Sequence, residues 1–324
     1  MRAVSPTAGP EAAPELTECP EPTANHGEVL VRVAAAGINR ADLLQLRGLY
    51  PPPPGESSIP GLECAGVIEE LGPGVEGFAV GQRVMALLAG GGQAELAAVP
   101  AGQLMTVPES LSQTEAAGVP EAGLTAWTNL VVEGGLAAGD TVLITGAASG
   151  IGTFAVQLAR ELGARVFVSG RSLARLEALR PLGAEECFEL GPELPAAVRA
   201  RSGGRGVDLV LDLVGGSWLP THLAALAPRG RLVLVGLLAG AKAELDLGAV
   251  LTRRLTLKGS VLRSRSRAEK AALVAAFSAF ALPRLHDGRL KPVIDRVLPF
   301  SDVAIAYTTL ATSQALGKVV VEMA

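Results

Sequence analysis

Thr141–Gly152 reads TVLITGAASGIG. An apolar, β-branched run ends in a loop of very small residues, and GTFAVQLARELG follows at once with apolar residues at helical spacing and a glycine stop. A strand, a loop without bulky side chains and a helix start in that order let backbone N–H groups face a pyrophosphate with no Cβ in the way. Gly150 and Gly152 suit a tight turn and close helix–strand packing. Ala147 and Ser149 stand where the stricter GxGxxG pattern has its first two glycines.

Strands and helices alternate outward from this loop. The expected strands are 141–145, 165–169, 186–190, 208–214, 231–237 and 255–261, with SLARLEALRPLG among the amphipathic segments between them. Six mostly continuous apolar runs of this kind indicate a parallel sheet covered on both faces, an α/β doubly wound domain over residues 121–287. Residues 1–120 differ in texture: 28–38 and 63–71 are strand-like, and Pro51–Pro54 between them forbid both a helix and a central strand. Short strands and glycine turns continue to about residue 112, where SQTEAAGVPEAGLTAWTNLV turns helical with an interruption at Pro120. Residues 288–324 return to β, with a helix over 302–312, so they are expected to complete the β-rich domain of 1–120. The active site is then expected in the cleft between the domains, at the C-terminal edge of the parallel strands.

TGAASGIG also fits the phosphate loop of short-chain dehydrogenases, which need a YxxxK pair. The chain has only Tyr50 and Tyr307, and the residues four further on are Pro54 and Ala311, so that reading fails. The second strand bears on the cofactor. An NAD site would place an acid about 20 residues past the loop to hold the ribose 2′-hydroxyl. The stretch is VFVSGRSLAR, with Ser169, Gly170, Arg171, Ser172 and Arg175 and no acid. Two guanidiniums there suit a 2′-phosphate and favour NADPH; the alternative is solvated arginines in a chain with 23 Arg and only 5 Lys. That bias fits a GC-rich genome or selection for heat stability equally well.

Composition removes other classes. Lys and Arg number 28 against 32 Asp and Glu, a formal charge of −4, so there is no basic field for nucleic acid or an anionic membrane. Seven Phe, two Tyr and two Trp make no base-stacking platform. Cys19, Cys64 and Cys187 are far apart, and His26, His222 and His286 form no ligand pair, so no metal site is expected. Each histidine reads as a surface or satisfied structural one. No apolar stretch approaches a membrane span, and the expectation is a soluble, cytoplasmic protein.

Segments along the whole chain, GINRADLLQLRGLYPPPPG, IPGLECAGVIEELGPGV, GDTVLITGAASGIG, DLVLDLVGG, GRLVLVGL and GKVVVE, resemble the zinc-independent quinone oxidoreductases of the medium-chain dehydrogenase/reductase superfamily. MALLxGGGQA and PEAxLTA are similar to the stress-inducible quinone oxidoreductase subgroup. The resemblance implies a GroES-like β domain with a Rossmann domain, and NADPH-dependent reduction of quinones without metal. Zinc-dependent members have a cysteine where this chain has Asn39, Gly-His-Glu where it has Gly61-Leu62-Glu63, and a four-cysteine lobe that is missing here.

By the same resemblance, Asn39 and Asp42 would line the cleft beside the nicotinamide ribose and substrate, Tyr50 would stand at its mouth, and Thr125 would contact the nicotinamide. Ala147, Ala148, Ser149, Gly150, Ile151 and Gly152 would hold the pyrophosphate, with Ser169, Gly170, Arg171 and Arg175 toward the 2′-phosphate. Val235, Gly236 and Leu237 would edge the nicotinamide pocket, Ser260, Leu262 and Arg263 would border the cofactor cleft, and Lys318 would close it. Family members with a tyrosine near the end of the third strand have Leu190 as its counterpart here. Asn39 and Asp42 have an alternative role as helix caps, Tyr50 as a packing anchor, and Thr125 as a helix-backbone partner. Two other activities stay open: reduction of an enone or enoyl thioester with Tyr50 as proton donor, and a non-catalytic NADPH-binding redox sensor. A small apolar quinone or enone is the expected partner. A homodimer is expected through apolar strands near 231–261, which would otherwise leave an exposed sheet edge.

Overall fold

The computed structural model describes residues 1–5, 9 and 13–323, which fall into two compact units: Met1–Leu124 with Leu262–Ala324, and Thr125–Val261. In the second unit six strands pair in parallel in the order Glu186–Glu189, Arg165–Gly170, Thr141–Thr145, Val207–Asp212, Leu226–Leu234, Thr256–Gly259. Counted within the unit this is 3-2-1-4-5-6, so the order reverses between Thr141–Thr145 and Val207–Asp212, where doubly wound sheets bind their ligands. Val142, Leu143, Ile144, Leu209, Val210 and Leu211 are all fully buried, as strands covered on both faces require.

Two strands end earlier than their apolar runs. The run 208–214 stops at Asp212 because the N–H groups of Val214 and Gly215 leave the ladder to donate to the Asp212 carboxylate, each at 2.9 Å. The run 231–237 stops at Leu234 because Val235 and Gly236 donate to the Asp212 carbonyl. The last strand is Thr256–Gly259, shorter than 255–261, and it forms the outer edge.

The first unit is built on a mixed sheet in the order Ile294–Pro299, Lys318–Glu322, Glu28–Ile38, Glu63–Leu71, Arg83–Leu87, Leu104–Thr106, with Leu96–Pro100 pairing onto Glu28–Ile38. Glu28–Ile38 and Glu63–Leu71 have the bounds their sequence pattern predicts. Beneath the sheet lies a core that includes Val31, Val33, Ile38, Ile68, Val84, Phe300 and Val319. Helix Arg267–His286, expected in the nucleotide-binding domain, belongs here, so the chain returns to this unit at Leu262 rather than at 288. It packs on the turn Ala101–Gln103, where a Cβ on Gly102 would lie 2.8 Å from the Ala271 Cβ, and Arg267 pairs with buried Glu28 at 2.8 Å. Its amphipathic sequence shows that it packs on a face, and nothing in its pattern says which one. Among the described residues no helix is long and apolar enough to cross a membrane.

Candidate active site

In the second unit the loop after Thr145 turns through Gly146, at φ 61°, into helix Gly150–Glu161. Ser149 caps the helix, its Oγ accepting from Gly152 N at 3.1 Å. The N–H groups of Gly150 and Ile151, in the first turn, have no intrahelical acceptor and carry the positive end of the helix dipole. A Cβ on Gly152 would fall 2.4 Å from the Ala147 carbonyl oxygen and 2.6 Å from its carbonyl carbon, so only glycine lets the helix start this close to the loop.

Asp212 organises the edge around that loop. Its Oδ1 accepts from Thr145 Oγ1 at 3.0 Å and from the N–H groups of Val214 and Gly215, while its Oδ2 lies 2.9 Å from His222 Nδ1. Thr145 Oγ1 in turn accepts from Leu213 N at 3.0 Å. Asp212 and His222 are both fully buried. Burial pushes the Asp212 carboxyl up, but the His222 hydrogen bond and charge and the two backbone donors outweigh it and hold the group below its usual range. The loops that follow are glycines in close backbone contact: a Cβ on Gly215 would lie 2.6 Å from Gly236 O, and one on Gly236 would lie 2.3 Å from Leu213 O.

These features fit a dinucleotide. Gly146–Gly152 forms a cradle that a side chain would fill. At the end of the next strand Ser169 is fully buried, and its Oγ has no partner among the described residues. Its carbonyl accepts from Ala147 N at 3.3 Å, which places Ser169 and Gly170 beside the loop. Arg171 is exposed and Arg175 partly so, both after this strand. Ser260 Oγ is another buried hydroxyl without a partner among the described residues, and Leu237 is exposed. Thr125 is buried, its carbonyl accepting from Asn129 Nδ2 at 2.7 Å.

In the first unit, register brings three sequence-distant residues together. Antiparallel pairing sets Val319 opposite Ile38 and Ala65 opposite Ala35, so Lys318, Asn39 and Glu63 meet at one end of the sheet. Lys318 Nζ donates to Asn39 Oδ1 at 2.7 Å and to Glu63 Oε1, and Asn39 Nδ2 donates to Glu63 Oε1 at 2.9 Å. Lys318, expected to close the cofactor cleft, is instead buried within this cluster. Asp42 is fully buried as well. Its oxygens accept from Asn39 N (2.7 Å), Gly61 N (3.1 Å) and Gln93 Nε2 (3.1 Å), and Tyr307 donates to Gln93 at 2.6 Å. Asp42 therefore braces the start of helix Arg40–Leu46 instead of facing a ligand. Burial raises its pKa to about 6 against the pull of those backbone donors and the Lys318 charge.

Tyr50 is half-buried, and the Arg263 guanidinium lies 5.1 Å from its ring centroid. Arg263, expected at the cofactor, is buried and donates to Ala89 O (2.7 Å), Tyr50 O (2.9 Å) and Gln45 Oε1 (2.5 Å). Leu262 beside it is buried too. Burial and the Glu121 charge raise the Tyr50 phenol above its ordinary value, with Arg263 opposing, so it keeps its proton near neutral pH.

A relative in Schizosaccharomyces pombe, a zinc-type alcohol dehydrogenase-like protein, is 32% identical, and the match covers 96% of this chain and 94% of that protein. The chain belongs to the medium-chain dehydrogenase/reductase superfamily. Residues 25–109 match the alcohol dehydrogenase GroES-like domain, and residues 150–278 match the zinc-binding dehydrogenase family. The quinone oxidoreductase of Thermus thermophilus, solved also with NADPH, is 37% identical with a TM-score of 0.83 over 99% of this chain and 100% of that one. The CurK enoyl reductase is 28% identical with a TM-score of 0.87 over 100% and 98%. Other relatives are much longer: the chain spans 14% of a Mycobacterium tuberculosis phenolphthiocerol/phthiocerol polyketide synthase subunit, at 32% identity over 91% of its own length.

The superfamily includes zinc enzymes, and the donor set at Asn39 and Glu63 does not suit that ion. The Asn39 amide stands where zinc members have a thiolate and Leu62 where they have an imidazole, and the Lys318 ammonium already lies between Asn39 and Glu63, so a metal would meet a like charge. Among the described residues no group of three or more His, Cys, Asp or Glu could hold a metal.

Glu63, Asp212 and His222 are the residues that motif reading missed as organisers. The available signal was a carboxylate inside an apolar strand, in GLECAGVI and in DLVLDLVGG, because a charge in such a place must be paired.

Proposed function

We propose that this oxidoreductase uses NADPH to reduce small apolar quinones. The partnerless, fully buried Ser169 hydroxyl beside the glycine cradle carries the cofactor reading, together with a following segment that offers Arg171 and Arg175 and no acid. When bound, NADPH supplies a hydride from nicotinamide C4. The helix start at Gly150 and Ile151 holds the pyrophosphate, and the Asp212-anchored loops at Gly215 and Gly236 shape the nicotinamide side. Asn39 and Tyr50 of the first unit serve the acceptor, and a quinone, already electron-poor, needs orientation more than activation. The test is the steady-state rate of NADPH oxidation with a small quinone and, separately, with an enone. Turnover on the quinone above both the enone and protein-free rates is expected. A faster enone would instead make this an ene-reductase with the protonated Tyr50 phenol as donor, and tight NADPH binding with no turnover would make it a sensor.

Selectivity for NADPH rests on Arg175 with Arg171. Arg175→Ala is expected to raise the KM for NADPH about tenfold, the loss of one charge-assisted contact, and to leave the KM for NADH almost unchanged. Equal losses for both cofactors would remove the 2′-phosphate role.

A homodimer suits the second unit. Its outer strand Thr256–Gly259 is exposed along its whole length, and Leu247, Leu251, Leu257 and Val261 are exposed on or near it. An unpaired edge with apolar neighbours is the kind of surface a second copy would cover.

A further inference from the structure

The side chain of Asn39 is a primary amide, and its two ends are told apart by what faces them. Lys318 Nζ, which can only donate, lies 2.7 Å from Oδ1, and Glu63 Oε1, which as a carboxylate can only accept, lies 2.9 Å from Nδ2. A flipped amide would set N–H against ammonium and C=O against carboxylate, so the orientation is fixed.

The partners are fixed in turn. Lys318 also reaches Ile38 O at 3.4 Å. Glu63 Oε2 accepts from Glu121 N at 2.8 Å, in the first turn of helix Pro120–Trp127, where the helix dipole favours an anion. Gly37 makes room for the carboxylate, since a Cβ there would lie 2.3 Å from Glu63 Oε1. Lys318 and Glu63 are 4% and 0% exposed, whereas Asn39 is partly exposed. A buried ion pair adds little net stability over apolar residues of the same size, so this one calls for a role other than stability. With one N–H of Asn39 given to Glu63, the other is available.

We infer that Glu63 and Lys318 are positioning residues that lock the Asn39 amide so that its remaining N–H donates to the carbonyl oxygen of the acceptor. The inference rests on the quinone-reductase reading above. The quinone takes a hydride from NADPH and a proton from solvent, giving hydroquinone and NADP⁺, and negative charge builds on the oxygen that receives the proton. A donor already aimed at that oxygen stabilises the charge without reorganising. The ammonium and carboxylate cancel, so the lock adds no net charge beside the acceptor.

The test compares the unsubstituted enzyme with Glu63→Gln/Lys318→Met, which removes both charges together and leaves no buried ion unpaired, with Asn39→Leu, and with the triple variant. Asn39→Leu is expected to lower kcat for the quinone about 100-fold and the double variant about 10-fold or more, with the Kd for NADPH within about twofold in each. The triple variant is expected to be no slower than Asn39→Leu, because the pair acts only through the amide. In ¹⁵N-labelled protein the Asn39 side-chain proton given to Glu63 should exchange slowly, and quickly once the pair is removed. Multiplicative losses in the triple variant, or an unchanged kcat in the double variant, would overturn the positioning role. If the unsubstituted enzyme turns over neither quinone nor enone, the underlying reading and the donor role fall together, while slow amide exchange would still show the lock itself.

Discussion

Asp212→Ala is expected to destabilise the second unit by about 4 kcal/mol, because it strands four partners in a site fully closed to water. Thr145 Oγ1, the N–H groups of Val214 and Gly215, and His222 Nδ1 would all lose their acceptor or counterpart. His222 fares worst, since its Nε2 is already buried with no partner among the described residues. For a unit of this size the loss corresponds to a fall of roughly 8–16 °C in Tm. Asp212→Asn, which can keep an oxygen at the Oδ1 position, should lose less than half as much. The pH dependence has a definite sign. A carboxyl held below its ordinary value contributes stability that is complete above the unfolded pKa of about 4 and is lost as pH falls through the lower folded value. Denaturant titrations from pH 7 down to pH 3 should therefore show a shallower acid limb for the alanine variant. An unchanged acid limb and a Tm within 2 °C or so would mean that the carboxylate is not what holds these loops.

Gly152→Val is expected to weaken NADPH binding about 100-fold, equivalent to ~2.7 kcal/mol, with a smaller change in Tm. The added Cβ would strike the Ala147 backbone, which has no rotamer to move to, so the loop must open away from the helix start. Gly191→Ala is the control, since no atom lies within 4 Å of the Cβ position there. Fluorescence titration of NADPH measures both, and a valine variant that binds normally would show that the cradle is not the pyrophosphate site.

The parallel sheet was legible because burial on both faces leaves an apolar run in each strand, and Thr141–Thr145 begins and ends where the pattern does. The strand ends at Asp212 and Leu234 were not legible: at Asp212 a side-chain carboxylate competes with the ladder for N–H groups, and past Leu234 both Val235 and Gly236 turn to the Asp212 carbonyl. Of the candidate site, the glycine cradle could be read from Gly150 and Gly152 alone, since a close backbone approach leaves a compositional trace. The inward turn of Asp42 and the burial of Arg263 and Lys318 left none. The partners of Lys318 are Asn39 and Glu63, and only the sheet register brings them within reach. Helix Arg267–His286 shows the same limit: amphipathic spacing marks a face to be covered, and the tertiary fold selects what covers it.

Under the acceptor role proposed for Tyr50, the way Arg263 holds its loop bears on how acceptor range can be changed. Two of its three bonds go to main-chain carbonyls, at Tyr50 and Ala89, and the third goes to Gln45, outside the proline segment. Apart from the Tyr50 ring that the guanidinium faces at 5.1 Å, the anchor reads the path of the loop and not the identity of its side chains. With Tyr50 kept, residues 51–55 can be varied as a cassette while their base stays fastened, which makes this loop the place to begin a directed library.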